Sequence, residues 1–242
     1  MTTHSLETLW WRVVVAARYF AARFVQQSHY PRICNICGYH GLFGPAGGGL
    51  RVDAKCPRCN SVERHRLFKL WLDGNSERLR AAEVLHFAPE KGLSALIRPI
   101  ARSYRTADIL PGRADLVLNI ERICLPDASV DVIVCSHVLE HVDDAMALAE
   151  QYRILRPGGL CLIMTPVVEG WSRTYENPAL RSPGERTLHF GQHDHVRYYG
   201  ADIRARIAAA GLALEEFTAE GPDIVRYALL PGEKVFIAIK KA

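Results

Sequence analysis

LPDASVDVIVCSHVLEHVDD (residues 125–144) and YRILRPGGLCLIMTP (residues 152–166) are the two stretches that most constrain the fold. Each contains a short apolar run, DVIVC at 131–135 and GLCLIMT at 159–165, of the kind found in strands buried on both faces. The helical pattern DDAMALAEQYRIL lies between the two runs. A strand, a helix and a second strand predict two parallel neighbours in one sheet.

The same alternation extends to both sides of this centre. The runs AEVLHF (82–87) and DLVL (115–118) read as further buried strands, and GLSALIRPIARS reads as a helix between them. Towards the end, ADIRARIAAAG has a helical pattern, and LALEEFTA and KVFIAIK are strand candidates. Residues 81–242 are therefore predicted to form one α/β domain with a doubly wound, largely parallel sheet.

Residues 1–27 have a different character. The segment 5–27 lacks Gly and Pro and is strongly apolar, which predicts an N-terminal helix. Arginines at 12, 18 and 23 would make a membrane span costly, so no transmembrane span is predicted. The favoured interpretation is a helix packed on the protein or on a partner chain, as in a homodimer. Peripheral contact with a membrane is the alternative.

The overall composition indicates a folded protein. Of 242 residues, 49% are hydrophobic, which excludes a mostly disordered chain, and a net charge of +4 is too small to indicate a nucleic-acid partner by itself. Four of the seven cysteines form two C-x-x-C pairs, Cys34–Cys37 and Cys56–Cys59. This spacing predicts a structural zinc ion held by four thiolates, and residues 28–80 are predicted to be a small zinc-ribbon-like module with a connecting helix.

A ligand site is predicted at the carboxyl ends of the strands. VLHF (84–87) ends a strand, and the turn APEKG (88–92) leads into a helix, an arrangement that brings backbone N–H groups to a ligand. About twenty residues later, Asp108 ends a second strand, where a carboxylate can accept both hydroxyls of a ribose.

Together with the two stretches quoted first, these features resemble the class I S-adenosylmethionine-dependent methyltransferases, in particular the type 11 branch. The resemblance covers about residues 80–240. It implies a seven-stranded Rossmann-like sheet whose last strand is antiparallel, with KVFIAIK in the terminal hairpin. It also implies S-adenosylmethionine as the cofactor.

The resemblance assigns cofactor roles by position. The first loop would wrap the methionine part, Asp108 would hold the ribose, Asn119 and Ile120 would lie at the adenine, and Ser136 and His137 would lie under the sulfonium. The residues assigned within the first loop are His86, Phe87, Ala88, Glu90 and Gly92. This loop departs from the family pattern D-x-G-x-G-x-G, because only Gly92 remains. Glu90 is hypothesised to bind the cofactor's amino group in place of the usual acid, and a lost cofactor site is the alternative.

His137, Glu140 and His141 also form the pattern H-x-x-E-H, which on a helix is the inverted zinc-protease motif. No third ligand is evident from the sequence. The favoured interpretation is that Glu140 and His141 pack against and cap the helix after the fourth strand.

Two later loops are the candidates for substrate binding. Both follow the fifth predicted strand and are dense in aromatic, imidazole and carboxylate groups. The candidate residues are Trp171, Tyr175, Glu176, His189, Asp194 and His195. Transfer to a hydroxyl needs a proton acceptor, and His193 is nominated as this base with His137 as its rival.

The sequence therefore predicts a cytoplasmic methyltransferase that acts on an O or N atom of a small molecule or saccharide. Two alternatives remain. One is an RNA methyltransferase that uses the basic cysteine module to bind nucleic acid, and the other is a non-catalytic scaffold.

Overall fold

The computed structural model describes residues 30–46 and 51–242, together with Trp10, Val13, Val14 and Ala17. Apart from these four helical positions, the helix predicted over residues 1–27 lies outside the described residues. Within the described part of the chain, no helix combines the length and the apolar character needed to cross a bilayer.

Thirteen strands and seven α-helices are found in this part of the chain. The strands are β1 (Arg32–Ile33), β2 (His40–Gly41), β3 (Gly44–Ala46), β4 (Arg51–Lys55), β5 (Glu83–Phe87), β6 (Ser103–Asp108), β7 (Leu116–Val117), β8 (Val130–Ser136), β9 (Leu155–Met164), β10 (Tyr175–Glu176), β11 (Arg197–Tyr198), β12 (Ala213–Thr218) and β13 (Lys234–Ile239). The helices are α1 (Glu63–Asn75), α2 (Glu77–Arg80), α3 (Lys91–Ile97), α4 (Asp144–Ile154), α5 (Pro183–Phe190), α6 (Ile203–Ala209) and α7 (Gly221–Tyr227).

The chain divides into two compact units. The first runs to Lys69 and includes Glu220–Pro231, and the second comprises Leu70–Ala219 and Gly232–Ala242. The boundary predicted from the sequence, between a cysteine module ending at residue 80 and an α/β domain beginning at residue 81, stays a prediction.

The first unit contains two small antiparallel hairpins, β1–β2 and β3–β4. Its apolar centre is small and consists mainly of cysteine side chains with Phe43 and Ala228. A core of this size supplies little hydrophobic stabilisation, so a unit of this kind usually depends on a metal or on disulfides.

The second unit is built around a seven-stranded sheet in the order β12-β13-β9-β8-β5-β6-β7. The five strands from β9 to β7 are parallel, and β13 runs antiparallel to both β9 and β12. The predicted Rossmann-like sheet and its antiparallel terminal hairpin are therefore confirmed. The strand order reverses direction between β5 and β8, which is where ligands bind in open α/β sheets.

Packing explains why these segments are strands and helices. Every residue of β8 except Asp131 is buried, and the apolar side chains of β5, β8, β9 and β13 form the core. Helix α3 ends at Ile97, earlier than the sequence pattern predicts, because Pro99 has no N–H to continue the helical hydrogen bonds.

Helix α4 begins differently from the prediction. Its N-cap is Asp143, whose carboxylate accepts a hydrogen bond from the backbone N–H of Met146. Glu140 and His141 belong instead to a short 3-10 turn at Leu139–His141. Glu140 is only 2% exposed and therefore faces the interior instead of capping the helix.

Candidate functional site

A cavity of about 560 Å³ opens at the carboxyl ends of the parallel strands in the second unit. This volume lies within the range of pockets that bind small ligands, roughly 300–1,000 Å³. The cavity is lined mainly by residues at or just after the carboxyl ends of β5, β6, β7 and β8, namely Phe87, Ala88, Asp108, Ile109, Leu118, Asn119, Ile120, His137 and Val138. Six of the predicted cofactor residues therefore line one cavity. They are Phe87, Ala88, Asp108, Asn119, Ile120 and His137.

The loop after β5 forms the wall without the usual glycines. Ala88 has a φ of 46°, in the left-handed region that favours glycine, and its N–H donates to the carbonyl of Ala107 at 2.8 Å. A methyl group at this position still leaves space for the cavity. The loop therefore keeps the backbone turn that a glycine would make, at a cost in strain of about 1–2 kcal/mol.

Glu90 and Ser136 contact each other at the other side of this loop. The hydroxyl of Ser136, which is buried, donates to Oε1 of Glu90 at 2.7 Å. Glu90 is also the residue that precedes α3. The contact joins the turn after β5 to the end of β8, which are the two segments predicted to surround the methionine part of the cofactor.

Four of the predicted cofactor residues, His86, Glu90, Gly92 and Ser136, are not among the residues that line the cavity. The His86 side chain is fully buried, and its Nδ1 lies 2.7 Å from the hydroxyl of Tyr104, which in turn donates to Ser94. Burial raises the pKa of Tyr104, so this hydroxyl keeps its proton at neutral pH. Gly92 lies in the first turn of α3.

Hydrogen bonds from nearby backbone N–H groups hold the side chains of Asp108, at the end of β6, and Asn119, after β7. Oδ1 of Asp108 accepts a hydrogen bond from the N–H of Leu110, and Oδ1 of Asn119 accepts one from Glu121, both over two residues. These Asx-type contacts hold the side chains in place at the cavity wall. Ile120 is buried and offers an apolar surface between them.

His137 follows β8 in a strained conformation. Its φ is 53°, and its backbone N–H donates to the carbonyl of Met164 at 2.7 Å. Nδ1 of its ring lies 3.1 Å from Oε1 of Glu140. A left-handed histidine in a cavity wall is a costly placement of the kind that often accompanies function.

Glu140 is a buried carboxylate surrounded by imidazoles. Burial opposes its ionisation, but the nearby His137 and His141 rings hold its pKa below the ordinary value. Its Oε2 accepts a hydrogen bond from Thr165 at 3.0 Å. His195 lies nearby, and burial lowers the pKa of its ring, which favours the neutral imidazole.

Of the predicted substrate residues, only Asp194 lines this cavity. Glu176 is held between Arg197 and Arg206 at 2.9 and 2.8 Å. Although burial opposes ionisation of Glu176, its hydrogen bonds from Arg206 and Arg197 keep its pKa below the ordinary value. This carboxylate therefore ties β10 and β11 to α6.

The aromatic substrate candidates form a cluster of their own. The rings of Trp171 and Tyr175 meet edge to face at 6.5 Å, and the hydroxyl of Tyr175 lies 2.7 Å from Nδ1 of His189. His193 is 69% exposed at its side chain and is outside the cavity lining. Its nomination as the base remains a prediction, while the rival His137 does line the cavity.

Sequence reasoning missed several residues of the cavity wall. Arg113, His141, Arg186 and Gln192 all line it. For Arg186 a signal was present, because Ser182 and Glu185 form a capping box that starts α5 and so places Arg186 in its first turns. The other three occupy loops or turns, where periodicity gives no orientation.

The four cysteines of the first unit meet in a second site. Gly38 and Asn60 take equivalent left-handed positions in two matching turns, one after each C-x-x-C pair. Sγ of Cys34 lies 3.6 Å from Sγ of Cys59, and Sγ of Cys37 lies 3.7 Å from Sγ of Cys56. These distances fit the edge of a tetrahedron of thiolates around zinc, about 3.8 Å for Zn–S bonds of about 2.3 Å.

Comparison with known proteins supports the resemblance seen in the sequence. Residues 81–163 match a protein family described as "Methyltransferase domain". Over 73 residues, the chain is 41% identical to a protein named a probable S-adenosylmethionine-dependent methyltransferase of Mycolicibacterium smegmatis, an alignment of 30% of this chain and 26% of that one. It is also 38% identical over 106 residues to the ubiquinone/menaquinone biosynthesis C-methyltransferase UbiE of Methylobacterium nodulans, covering 41% and 42% of the two chains. The chain thus spans less than half the length of these relatives.

Solved structures show the same fold. An S-adenosylmethionine-dependent methyltransferase from Mesorhizobium loti aligns with 70% of this chain and all of its own, with a TM-score of 0.50 and 14% identity. The methyltransferase in a complex with the Trm112 methyltransferase activator of Haloferax volcanii aligns with 74% of this chain and 91% of its own, with a TM-score of 0.51 and 17% identity. The resemblance to S-adenosylmethionine-dependent methyltransferases is confirmed for the segment that builds the cavity, and these structures establish the fold.

Proposed function

We propose that this protein is an S-adenosylmethionine-dependent methyltransferase that acts on an O or N atom of a small molecule. The observation that carries the proposal is the cavity at the reversal of strand order, lined by Asp108, Ile120 and His137. Most of its wall lies within the segment that matches the methyltransferase domain.

The residues of the wall fit the parts of this cofactor. The carboxylate of Asp108, in the cavity lining, would accept the two ribose hydroxyls, and Ile120 and Phe87 would offer apolar surface for the adenine. Glu90, which contacts Ser136 outside the cavity lining, would bind the positively charged amino group. When bound, the cofactor would supply a methyl group on a positively charged sulfur.

For the acceptor, the chain must provide orientation and a place for the proton. His137 lines the cavity, and Glu140 faces its Nδ1, so the carboxylate would orient the ring and stabilise its protonated form. We therefore favour His137 over the exposed His193 as the group that holds the acceptor's proton. In a crystal structure with S-adenosylhomocysteine, the position that the methyl group would occupy should lie closer to the His137 ring than to the His193 ring. If the His193 ring is the closer of the two, the assignment is reversed.

Calorimetry with S-adenosylmethionine tests the cofactor site. Asp108→Asn and Glu90→Gln each remove a charge-assisted contact of about 1.5–3 kcal/mol, so each should weaken binding roughly 10- to 100-fold. Asp127→Asn changes a carboxylate on the surface, where it pairs with Arg153, and should leave affinity unchanged. No binding by the unaltered chain would refute the proposed function, and undiminished affinity in both site variants would refute the residue assignments.

We also propose that Cys34, Cys37, Cys56 and Cys59 hold a structural zinc ion. Four thiolates fill a tetrahedral site, so this ion would stabilise the first unit and would not contact a substrate. Mass spectrometry of the purified chain should find one zinc per molecule. Cys56→Ser should lose it, whereas Cys124→Ser, which changes an exposed cysteine, should keep it. A metal-free chain with two disulfides would contradict this proposal.

A further inference from the structure

A second group of metal-binding side chains lies in the second unit, beside the cavity. Glu140, His141 and His195 each offer a ligand atom, and the three atoms lie within 4.8 Å of one another. Glu140 and His141 come from the turn after β8, and His195 comes from the loop before β11. The two segments are joined where the N–H of Val196 donates to the carbonyl of Glu140 at 2.9 Å.

Two polar atoms of this group are buried without a hydrogen bond from any described residue. They are Oε1 of Glu140 and Nδ1 of His195. Nδ1 of His137 lies 3.1 Å from this Glu140 oxygen and forms an ion pair with it only when the imidazole is protonated. A buried acceptor without a partner costs roughly 1–3 kcal/mol, and a bound cation would offset this cost.

The ligand types are those of a transition-metal site. Two imidazoles and one carboxylate suit Zn²⁺, Mn²⁺ or Fe²⁺, and three protein ligands leave coordination positions open. The rings of His141 and His195 meet edge to face at 4.6 Å with an interplanar angle of 83°. The two rings therefore do not stack, and their nitrogen atoms can be directed at one point.

The group also has the outer partners that metal ligands usually have. Thr165 donates to the second oxygen of Glu140 at 3.0 Å, and Oδ2 of Asp194 lies 3.4 Å from Nδ1 of His141. A carboxylate beside a ligating histidine fixes its tautomer and strengthens it as a ligand. These contacts support one fixed arrangement of the three ligands.

We propose that Glu140, His141 and His195 bind a divalent transition-metal ion in the wall of the cavity. His141 itself lines the cavity, as does its partner Asp194, so an open coordination position would face the space for the acceptor. The role of the ion rests on the proposed methyltransferase function. An oxygen-bearing acceptor, such as an alcohol or a phenol, would coordinate through its hydroxyl, and the ion would favour transfer of the hydroxyl proton to His137. The oxygen would then form its bond to the methyl carbon as the bond from that carbon to the sulfonium sulfur breaks, and S-adenosylhomocysteine would leave as a neutral thioether.

The test is calorimetric titration of the full chain, carrying its cysteine-bound zinc, with Mn²⁺ and separately with Zn²⁺. At least one of the ions should bind with one further equivalent per chain. Glu140→Gln and His195→Asn should each weaken this binding at least tenfold. The matched control is His189→Asn, which changes a half-buried histidine outside the group and should bind as the unaltered chain does.

Binding of neither ion by the unaltered chain would overturn the proposal, and so would equal binding by both ligand variants and the control. Thermal unfolding of each variant, followed by circular dichroism, shows whether a loss of binding reflects a loss of fold. Affinity for S-adenosylmethionine is measured on the same samples. A chain that binds the cofactor but no second ion contradicts only the metal site, and a chain that binds the ion but not the cofactor contradicts only the methyltransferase function.

Discussion

At the scale of single residues, Arg66 shows how one side chain can hold a small unit together. It is fully buried, and its guanidinium donates to the carbonyls of Ser61, Ala54, Tyr227 and Ala228 at 2.7–3.0 Å. A guanidinium has five N–H donors in fixed directions, so it can bind several carbonyls at once. A lysine carries its three donors on one nitrogen and could not make the same contacts. All four acceptors belong to the first unit, so Arg66 ties the segment Glu220–Pro231 to the cysteine module.

Arg66→Met should therefore destabilise the first unit strongly. Removing the guanidinium leaves four buried carbonyls without their donor, and we expect a loss of at least about 3 kcal/mol in the free energy of unfolding. Hydrogen exchange of the full chain should show the loss in β1–β4 and α7. Arg226→Met, on the exposed face of α7, is the control, and equal protection in the two variants would contradict this role for Arg66.

At the scale of elements, the junction of β8 and β9 depends on a glycine. A Cβ added to Gly159 would lie 2.8 Å from the carbonyl oxygen of Asp131 and 2.9 Å from that of Arg156. Both are backbone atoms of the paired strands and cannot move without disturbing the ladder. The apolar run GLCLIMT predicts a strand that begins at this glycine, whereas β9 begins four residues earlier, at Leu155.

Two glycine-to-alanine substitutions should shift stability in opposite directions. Gly159→Ala should destabilise the second unit by about 1–3 kcal/mol, because the strands must separate to admit the methyl group. Gly74→Ala, in α1 with open space around it, should stabilise its helix by about 0.5–1 kcal/mol. Thermal unfolding measures both changes, and a Gly159→Ala chain as stable as the unaltered one would show that the strands yield without cost.

At the scale of the whole molecule, buried and paired carboxylates control the response to acid. The pKa values of Asp131, Glu140 and Glu176 are all held below their ordinary values, although burial acts in the opposite direction in each case. Hydrogen bonds and nearby positive charges lower these pKa values by more than burial raises them. The unfolded chain then binds more protons than the folded chain in mild acid, so stability must fall as the pH falls.

The unfolding temperature should therefore decline as the pH drops from about 5 to 3, through and below the ordinary carboxyl range around 4. The contribution of Glu176 is present above its unfolded pKa and is lost as the pH falls through its lower folded pKa. Glu176→Gln should lower the unfolding temperature at pH 7 and flatten the decline in acid. With Glu220→Gln, which changes an exposed carboxyl, the decline should match that of the unaltered chain; identical curves for all three chains would contradict the role of Glu176.

The sequence alone determined the local features of this protein. Alternating apolar strands and helices predicted the α/β sheet, because periodicity depends only on neighbouring residues. The spacing of Cys34, Cys37, Cys56 and Cys59 and the position of Asp108 after its strand predicted two candidate sites for the same reason. In each case a short segment holds the whole signal, so no knowledge of the chain path was needed.

Only the tertiary structure decided which distant residues meet. His195 approaches His141 from 54 residues away in sequence and Glu140 from 55, and Tyr227 contacts Arg66 from 161 residues away. The approach of His195 to Glu140 and His141 was invisible in the sequence for this reason, and so was the exclusion of His193 and Glu176 from the cavity wall. Loops are placed by the elements that they join, and the orientation of their side chains follows from packing that no short pattern encodes.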